Sequence, residues 1–254
     1  MTGLQQFDLS GQVAVVTGAS RGIGAALAVG LAEAGADVAL LARSECDAAS
    51  AAIAAVGRRR IQVKVDIGKP GVCAAALAQV ETDLGPPTIL VNNAGIIRRA
   101  DFEDYSRQDW DDVMAVNLDG VFDLSQAFAR SCLHAGRKGR IINIASMLSF
   151  QGGVRVAAYT ASKSALLGLT RALANELAPQ GINVNAIAPG YIATDNTAPL
   201  RADEARNASI LDRIPAGRWG DPTDLVGAAV FLASPAAAYV HGTVLAVDGG
   251  WLAR

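Results

Sequence analysis

The sequence predicts an α/β protein built on one doubly wound sheet of about seven parallel strands with helices on both faces. Three observations lead there. Short β-branched apolar runs alternate with alanine-rich stretches along the whole 254-residue chain. Most runs are apolar at consecutive positions, as parallel strands covered on both faces require. No Pro/Ser/Gly-rich linker or internal repeat breaks the series, so 1–254 reads as a single domain.

Strands are expected at 12–17, 37–42, 61–65, 88–92, 140–145, 182–188 and 243–247. Helices are expected at 22–34, 70–83, 107–130, 158–178 and 222–233. Pro70 and Pro222 suit a first helical turn, and Asp221 is a fitting N-cap. Segments 147–157 and 191–215 break the rhythm. Each follows a strand, and ligands of doubly wound sheets sit beyond strand carboxyl ends, so these segments are the expected walls of a substrate pocket.

Composition narrows the function. Hydrophobic residues make up 51% and charged residues 18%, enough for a sizeable core. A net charge of -2 gives no footprint for nucleic acid. Arg58, Arg59 and Arg60 are too short a run to change that and read as a solvated edge. No apolar stretch approaches the roughly 18 residues of a membrane helix, and Met1–Ser10 lacks the pattern of a secretory signal. Cys46, Cys73 and Cys132 are scattered, and the only histidines are His134 and His241. Neither a disulfide framework nor a metal site is expected, and the setting reads as the cytoplasm.

After the first strand runs Thr17-Gly18-Ala19-Ser20-Arg21-Gly22-Ile23-Gly24. A strand that turns sharply into a helix whose first amides face a pyrophosphate needs glycines for the turn and for clearance. The spacing is G-x-x-x-G-x-G. The second strand ends at Ala42-Arg43-Ser44, where a site for NAD would place a carboxylate against the ribose. Arg43, with Arg21 from the glycine turn, favours NADP(H) and leaves NAD(H) open. Asp66, in Val65-Asp66-Ile67, is placed to accept from an adenine amino group or to cap the next helix. Asn92-Asn93-Ala94-Gly95 ends the fourth strand, and Ala94 and Gly95 leave room for a flat cofactor.

The strongest chemical signal is Tyr159-Thr160-Ala161-Ser162-Lys163 within an apolar helix. Tyr159 and Lys163 are one turn apart, so they share a face. A free tyrosine titrates near 10, and a neighbouring ammonium is expected to lower that value toward a useful catalytic range. Ser146 ends the fifth strand and can hold a substrate carbonyl beside the tyrosine. Asn117 is a polar residue in a mostly apolar helical segment.

Taken in order, Thr17–Gly24, Asn92–Gly95, Asn117, Ser146, Tyr159, Lys163, Pro189-Gly190 and Asp248-Gly249-Gly250 resemble the short-chain dehydrogenase/reductase family over essentially the whole chain. The resemblance implies a Rossmann-type nicotinamide site and a tetrad. Tyr159 would be the acid/base, Ser146 would orient the reacting oxygen, Lys163 would bind the nicotinamide ribose, and Asn117 would hold a relay water. It also implies cofactor contacts from Pro189, Gly190, Ile192 and Thr194, and a homotetramer with Gly249–Arg254 at an interface.

Segments 92–99, 141–153, 214–220 and 246–254 are similar to members of that family acting on deoxy sugar acids. A carrier-protein ketoacyl reductase and a non-catalytic cofactor-binding regulator are the alternatives. A sugar acid needs a cation for its carboxylate and polar groups for its hydroxyls. Arg98, Arg155 and Gln151, beside Ser146, are the candidates.

Overall fold

The computed structural model describes residues 3–254. Its single seven-stranded sheet is parallel throughout, in the order β3-β2-β1-β4-β5-β6-β7. The strands are β1 Val13–Thr17, β2 Asp37–Ala42, β3 Arg60–Lys64, β4 Ile89–Asn92, β5 Gly139–Ile144, β6 Ile182–Pro189 and β7 Val244–Val247. Each matches its sequence-predicted range to within a residue or so. Every residue of β1, β4 and β6 is buried, whereas edge strand β3 buries only Val63. Consecutive apolar residues are therefore spent where both faces are covered.

The helices are α1 Gly22–Glu33, α2 Asp47–Ala55, α3 Val72–Leu84, α4 Arg107–Met114, α5 Gly120–His134, α6 Ala157–Leu177, α7 Ala198–Ala202, α8 Glu204–Arg213 and α9 Val226–Ala233. Side chains alternate across the strands, so Ala14, Val16, Ile89 and Val91 pack with Leu27, Leu31 and Leu232 of α1 and α9. Val13, Val15 and Leu90 pack on the other face with Leu77, Val80, Leu124 and Phe128 of α3 and α5. Each face thus has its own core.

Three expectations about helices change. Gly71 stands at φ 79°, which no helix interior accepts, so α3 starts at Val72 and Pro70 lies outside it. The helix expected over 107–130 is interrupted by a π-turn at Ala115–Asp119. Pro222 opens a short 3₁₀ turn, and α9 proper begins only at Val226. Asp221 does cap that turn, and its amide donates to the Asp224 carboxylate at 2.7 Å. The arginine run is a solvated edge, with Arg58 and Arg59 turned onto Asp37.

Strand order reverses between β1 and β4, and their carboxyl ends open the crevice that this topology reserves for ligands. Segment 191–215 supplies α7 and α8 above it. Among the described residues no helix is long and apolar enough to cross a membrane, and the three cysteines are free and buried.

Candidate active site

The reversal point is stitched by Thr17 and Asn93. The Thr17 hydroxyl accepts the amides of Asn93 and Ala94, both at 3.0 Å. The Asn93 carboxamide donates back to the carbonyls of Thr17 at 2.9 Å and Gly18 at 3.3 Å. This packing leaves no room for side chains in the turn. A Cβ on Gly24 would lie 2.2 Å from the Gly18 carbonyl oxygen, and one on Gly18 would lie 2.9 Å from the Ala94 Cα.

Arg21, the N-cap of α1, is extended and makes no side-chain capping bond. The first amides of α1, from Gly22, Ile23 and Gly24 next to Ser20, are therefore uncapped, directly after the carboxyl end of β1, which suits a pyrophosphate. A Cβ on Gly22 would stand in contact only with the Thr194 side chain, its methyl at 3.4 Å. Thr194 thus overhangs the glycine turn. The residues present fit a dinucleotide.

The rest of the cofactor set divides. Asp66 accepts the Gly68 amide at 3.2 Å in a local turn, which leaves its second oxygen available. Ile67 and Ile192 bury their side chains in the two cores, so each supports the crevice from behind. Gly190 lets β6 pass close to the tail, since a Cβ there would lie 2.6 Å from the Asp248 Cα. Arg43 is exposed at the end of β2 and has no partner among the described residues. Arg21 does not join it, because its guanidinium is turned 3.4 Å from Asp195 in the insertion.

The π-turn explains Asn117. Its extra residue widens the helix and turns a fully buried carboxamide inward, where it accepts the Ile96 amide at 2.8 Å and donates to the Ile96 carbonyl at 3.0 Å. It also reaches the Ser162 hydroxyl at 3.2 Å, so α4–α5 and α6 are tied together beside the site. A Cβ on Gly95 would lie 3.4 Å from this carboxamide and 3.7 Å from the Lys163 ammonium, so the end of β4 abuts both.

Lys163 is buried, and its Nζ donates to the Ile144 carbonyl at 2.6 Å and lies 5.8 Å from the Tyr159 ring centre. Desolvation lowers its pKa to about 8. The expectation that Lys163 brings the Tyr159 pKa down is not met. Burial raises the phenol above its ordinary value, against a smaller downward pull from the Ser146 hydroxyl and then from Arg99. Ser146 accepts the Leu148 amide at 3.1 Å, and Ser149 donates to the Lys163 carbonyl at 2.6 Å, which fixes the β5 loop to α6.

The arginines expected to meet the substrate are already occupied. Arg98 lies 3.2 Å from Asp109 and 3.6 Å from Asp112. Arg155 lies 3.1 Å from Asp101, and at φ 64° its backbone is left-handed. Its carbonyl accepts the Ala100 amide at 3.2 Å, so Arg155 ties two loops together. Gln151 accepts the Trp251 indole N–H at 3.0 Å. A cation that sequence did not single out is Arg99, exposed, without a hydrogen-bond or ion-pair partner among the described residues, whose charge pulls the Tyr159 phenol downward. In an irregular loop no periodicity separates two adjacent arginines.

A dinucleotide crevice at the switch point, with Ser146, Tyr159, Lys163 and Asn117 gathered beside it, defines a nicotinamide-dependent dehydrogenase. The chain belongs to the short-chain dehydrogenase/reductase family. A family model described as enoyl-(acyl carrier protein) reductase matches residues 18–252.

Its relatives are more particular. It is 55% identical over 251 residues, 99% of each chain, to the 2-dehydro-3-deoxy-D-gluconate 5-dehydrogenase of Dickeya dadantii strain 3937. Among solved structures it is 57% identical, with a TM-score of 0.92 over 98% of this chain and 99% of the other, to a candidate 2-deoxy-D-gluconate 3-dehydrogenase of Agrobacterium tumefaciens with bound NADP. A gluconate 5-dehydrogenase from Burkholderia cenocepacia J2315, in complex with NADP and tartrate, is 41% identical with a TM-score of 0.94 over 99% of both chains.

Proposed function

We propose that this protein interconverts a hydroxyl and a ketone on a deoxy sugar acid, 2-keto-3-deoxygluconate or 2-deoxy-D-gluconate, with NADP(H) as its favoured cofactor. The observation that carries the reading is the half-buried Tyr159 phenol beside the Ser146 hydroxyl and one helical turn from buried Lys163, with the Arg99 charge also acting on it. A phenol whose pKa is raised keeps its proton at neutral pH, so Tyr159 rests as a general acid, suited to protonating the oxygen of a ketone under reduction. When bound, the nicotinamide supplies the hydride. Ser146 holds the reacting oxygen. Lys163, at about 8, exchanges its proton near neutrality, as a relay behind Tyr159 must. Arg99 meets the substrate carboxylate, because Arg98 and Arg155 are neutralised by aspartates.

Arg43 supports NADP(H), as a cation at the end of β2 unpaired among the described residues, with no carboxylate at buried Ala42 to oppose a 2′-phosphate. The same reading places the protein in the cytoplasm as a homotetramer. Among the described residues the outer edge of β7 has no sheet partner, and Tyr239 is 99% exposed, which leaves surface for a second copy.

The test is a panel assay of 2-keto-3-deoxygluconate, the corresponding diketo acid, 2-deoxy-D-gluconate, acetoacetyl thioesters and an uncharged ketone, each with both cofactors. Sugar acids are expected to lead, and Arg99→Ala to lower kcat/KM for them about ten- to hundred-fold while sparing the uncharged ketone. A preference for thioesters would overturn the substrate assignment. Equal losses on charged and uncharged substrates would overturn the role of Arg99.

A further inference from the structure

The last residues of the chain reach both walls of the substrate pocket. Asp248 accepts the amides of Gly250 and Leu252, each at 2.9 Å, and Gly249 and Gly250 take the left-handed backbone that this tight turn demands. The turn drives Trp251 inward, where it is 5% exposed among Met147, Ile210 and Ile214. The Arg213 guanidinium covers the indole face at 4.0 Å, and Tyr191 meets it edge-on at 4.8 Å. Arg254 donates to the carbonyl of Asp212 at 2.6 Å and holds the tail on the end of α8. A single indole therefore joins the loop after β5 to the insertion after β6.

Its polar atom has a sharper consequence. An indole N–H can only donate, so the bond of 3.0 Å to Gln151 requires the carboxamide oxygen to face the indole. The amide NH₂ must then turn the other way, and among the described residues it has no partner. Gln151 lies five residues past Ser146 on the same loop. Without Trp251 the carboxamide could flip and offer an acceptor instead.

We propose that Gln151 determines specificity by presenting two N–H donors to acceptor oxygens of the sugar acid, and that Trp251 is the positioning residue that forbids the opposite orientation. The inference rests on the substrate class proposed above.

The experiment is a double-mutant cycle on the full-length enzyme, reading KM and kcat for the sugar acid, Kd for NADPH and the melting temperature. Trp251→Phe keeps the ring and its stacking but removes the donor. KM is expected to rise about three- to ten-fold, with kcat and NADPH affinity held within about two-fold. Gln151→Leu should raise KM about ten-fold, and Trp251→Phe added to it should cost nothing more, because no amide remains to orient. Gln151→Glu keeps the acceptor for the indole but sets an anion against the substrate, and should be the weakest binder of the set.

If Trp251→Phe melts much earlier than wild type, the two Gln151 variants decide the matter. Unchanged KM in both Gln151 variants overturns the inference. So does a cycle in which the two substitutions add independently, since that is the signature of separate packing effects. A wild type that turns over no sugar acid would sink the substrate reading first and this inference with it. A wild type that does, with KM indifferent to Gln151, would sink only the inference.

Discussion

Gly22 and Gly24 are two residues apart in one turn, yet alanine at each should fail in a different assay. A Cβ on Gly24 would lie 2.2 Å from the Gly18 carbonyl oxygen and 2.4 Å from the Asn93 Nδ2. Both are held atoms. The carboxamide is pinned to Thr17 and Gly18, and those carbonyls end β1. Overpacking a rigid site costs about 1–3 kcal/mol. Displacing Asn93 adds roughly 0.5–1.5 kcal/mol for each hydrogen bond lost. With both bonds lost, a total of about 2–6 kcal/mol corresponds to a fall in Tm of at least ~4 °C for a chain of this size. A Cβ on Gly22 meets only the Thr194 side chain, its methyl at 3.4 Å, so the fold tolerates it apart from the strain of φ 54°. That strain costs on the order of 1 kcal/mol. The methyl would however stand over the uncapped amides of α1, and weakening one charge-assisted phosphate contact costs about ten- to hundred-fold in affinity. The assay is a thermal melt without cofactor beside a fluorescence titration with NADPH. Gly24→Ala should lose mainly Tm, and Gly22→Ala mainly affinity. A Gly24→Ala protein that melts within about 1 °C of wild type would refute the packing argument.

Tyr159→Phe should lower kcat/KM by roughly 10²–10⁴-fold while NADPH affinity stays within about three-fold, because the proton donor is lost and the ring is kept. A variant retaining more than about a tenth of the rate would remove Tyr159 from the chemistry. For pH, the folded pKa of Lys163, about 8, lies below its unfolded value of 10.5. The unfolded chain thus binds more protons between these values, and this lysine adds stability as pH rises through the window, by about 3 kcal/mol in all. Cys73 and Cys132, raised to about 11, pull the other way, but equally in a Lys163→Met variant. Urea unfolding from pH 7.5 to 10 should therefore show wild type gaining on Lys163→Met, and parallel curves would mean that the buried ammonium carries no such penalty. Arg43→Ala should cut the preference for NADPH over NADH about ten- to hundred-fold through NADPH alone. If kcat/KM with NADPH barely moves, the 2′-phosphate is met elsewhere.

Much of this was legible in one dimension. Strand periods follow directly from burial on both faces, so the seven strands and their class could be read off apolar runs. The glycine turn and the Tyr159–Lys163 spacing are likewise local, since a helix turn puts residues four apart on one face. Sequence also ordered Asn117, Ser146, Tyr159 and Lys163 along the chain. What it could not supply were interactions settled by which surfaces meet. The downward pull on Tyr159 comes from Ser146 after β5 and Arg99 after β4, and burial outweighs both. Arg98, Arg99 and Arg155 are chemically alike in sequence. Only packing showed that Asp109, Asp112 and Asp101 neutralise two of them and leave Arg99 uncommitted. Trp251 lies a hundred positions from Gln151, and no local rule foresees a hydrogen bond between them. Backbone periodicity is a short-range property and is written in the chain. Charge pairing and desolvation depend on distances across the fold, and tertiary structure alone decides them.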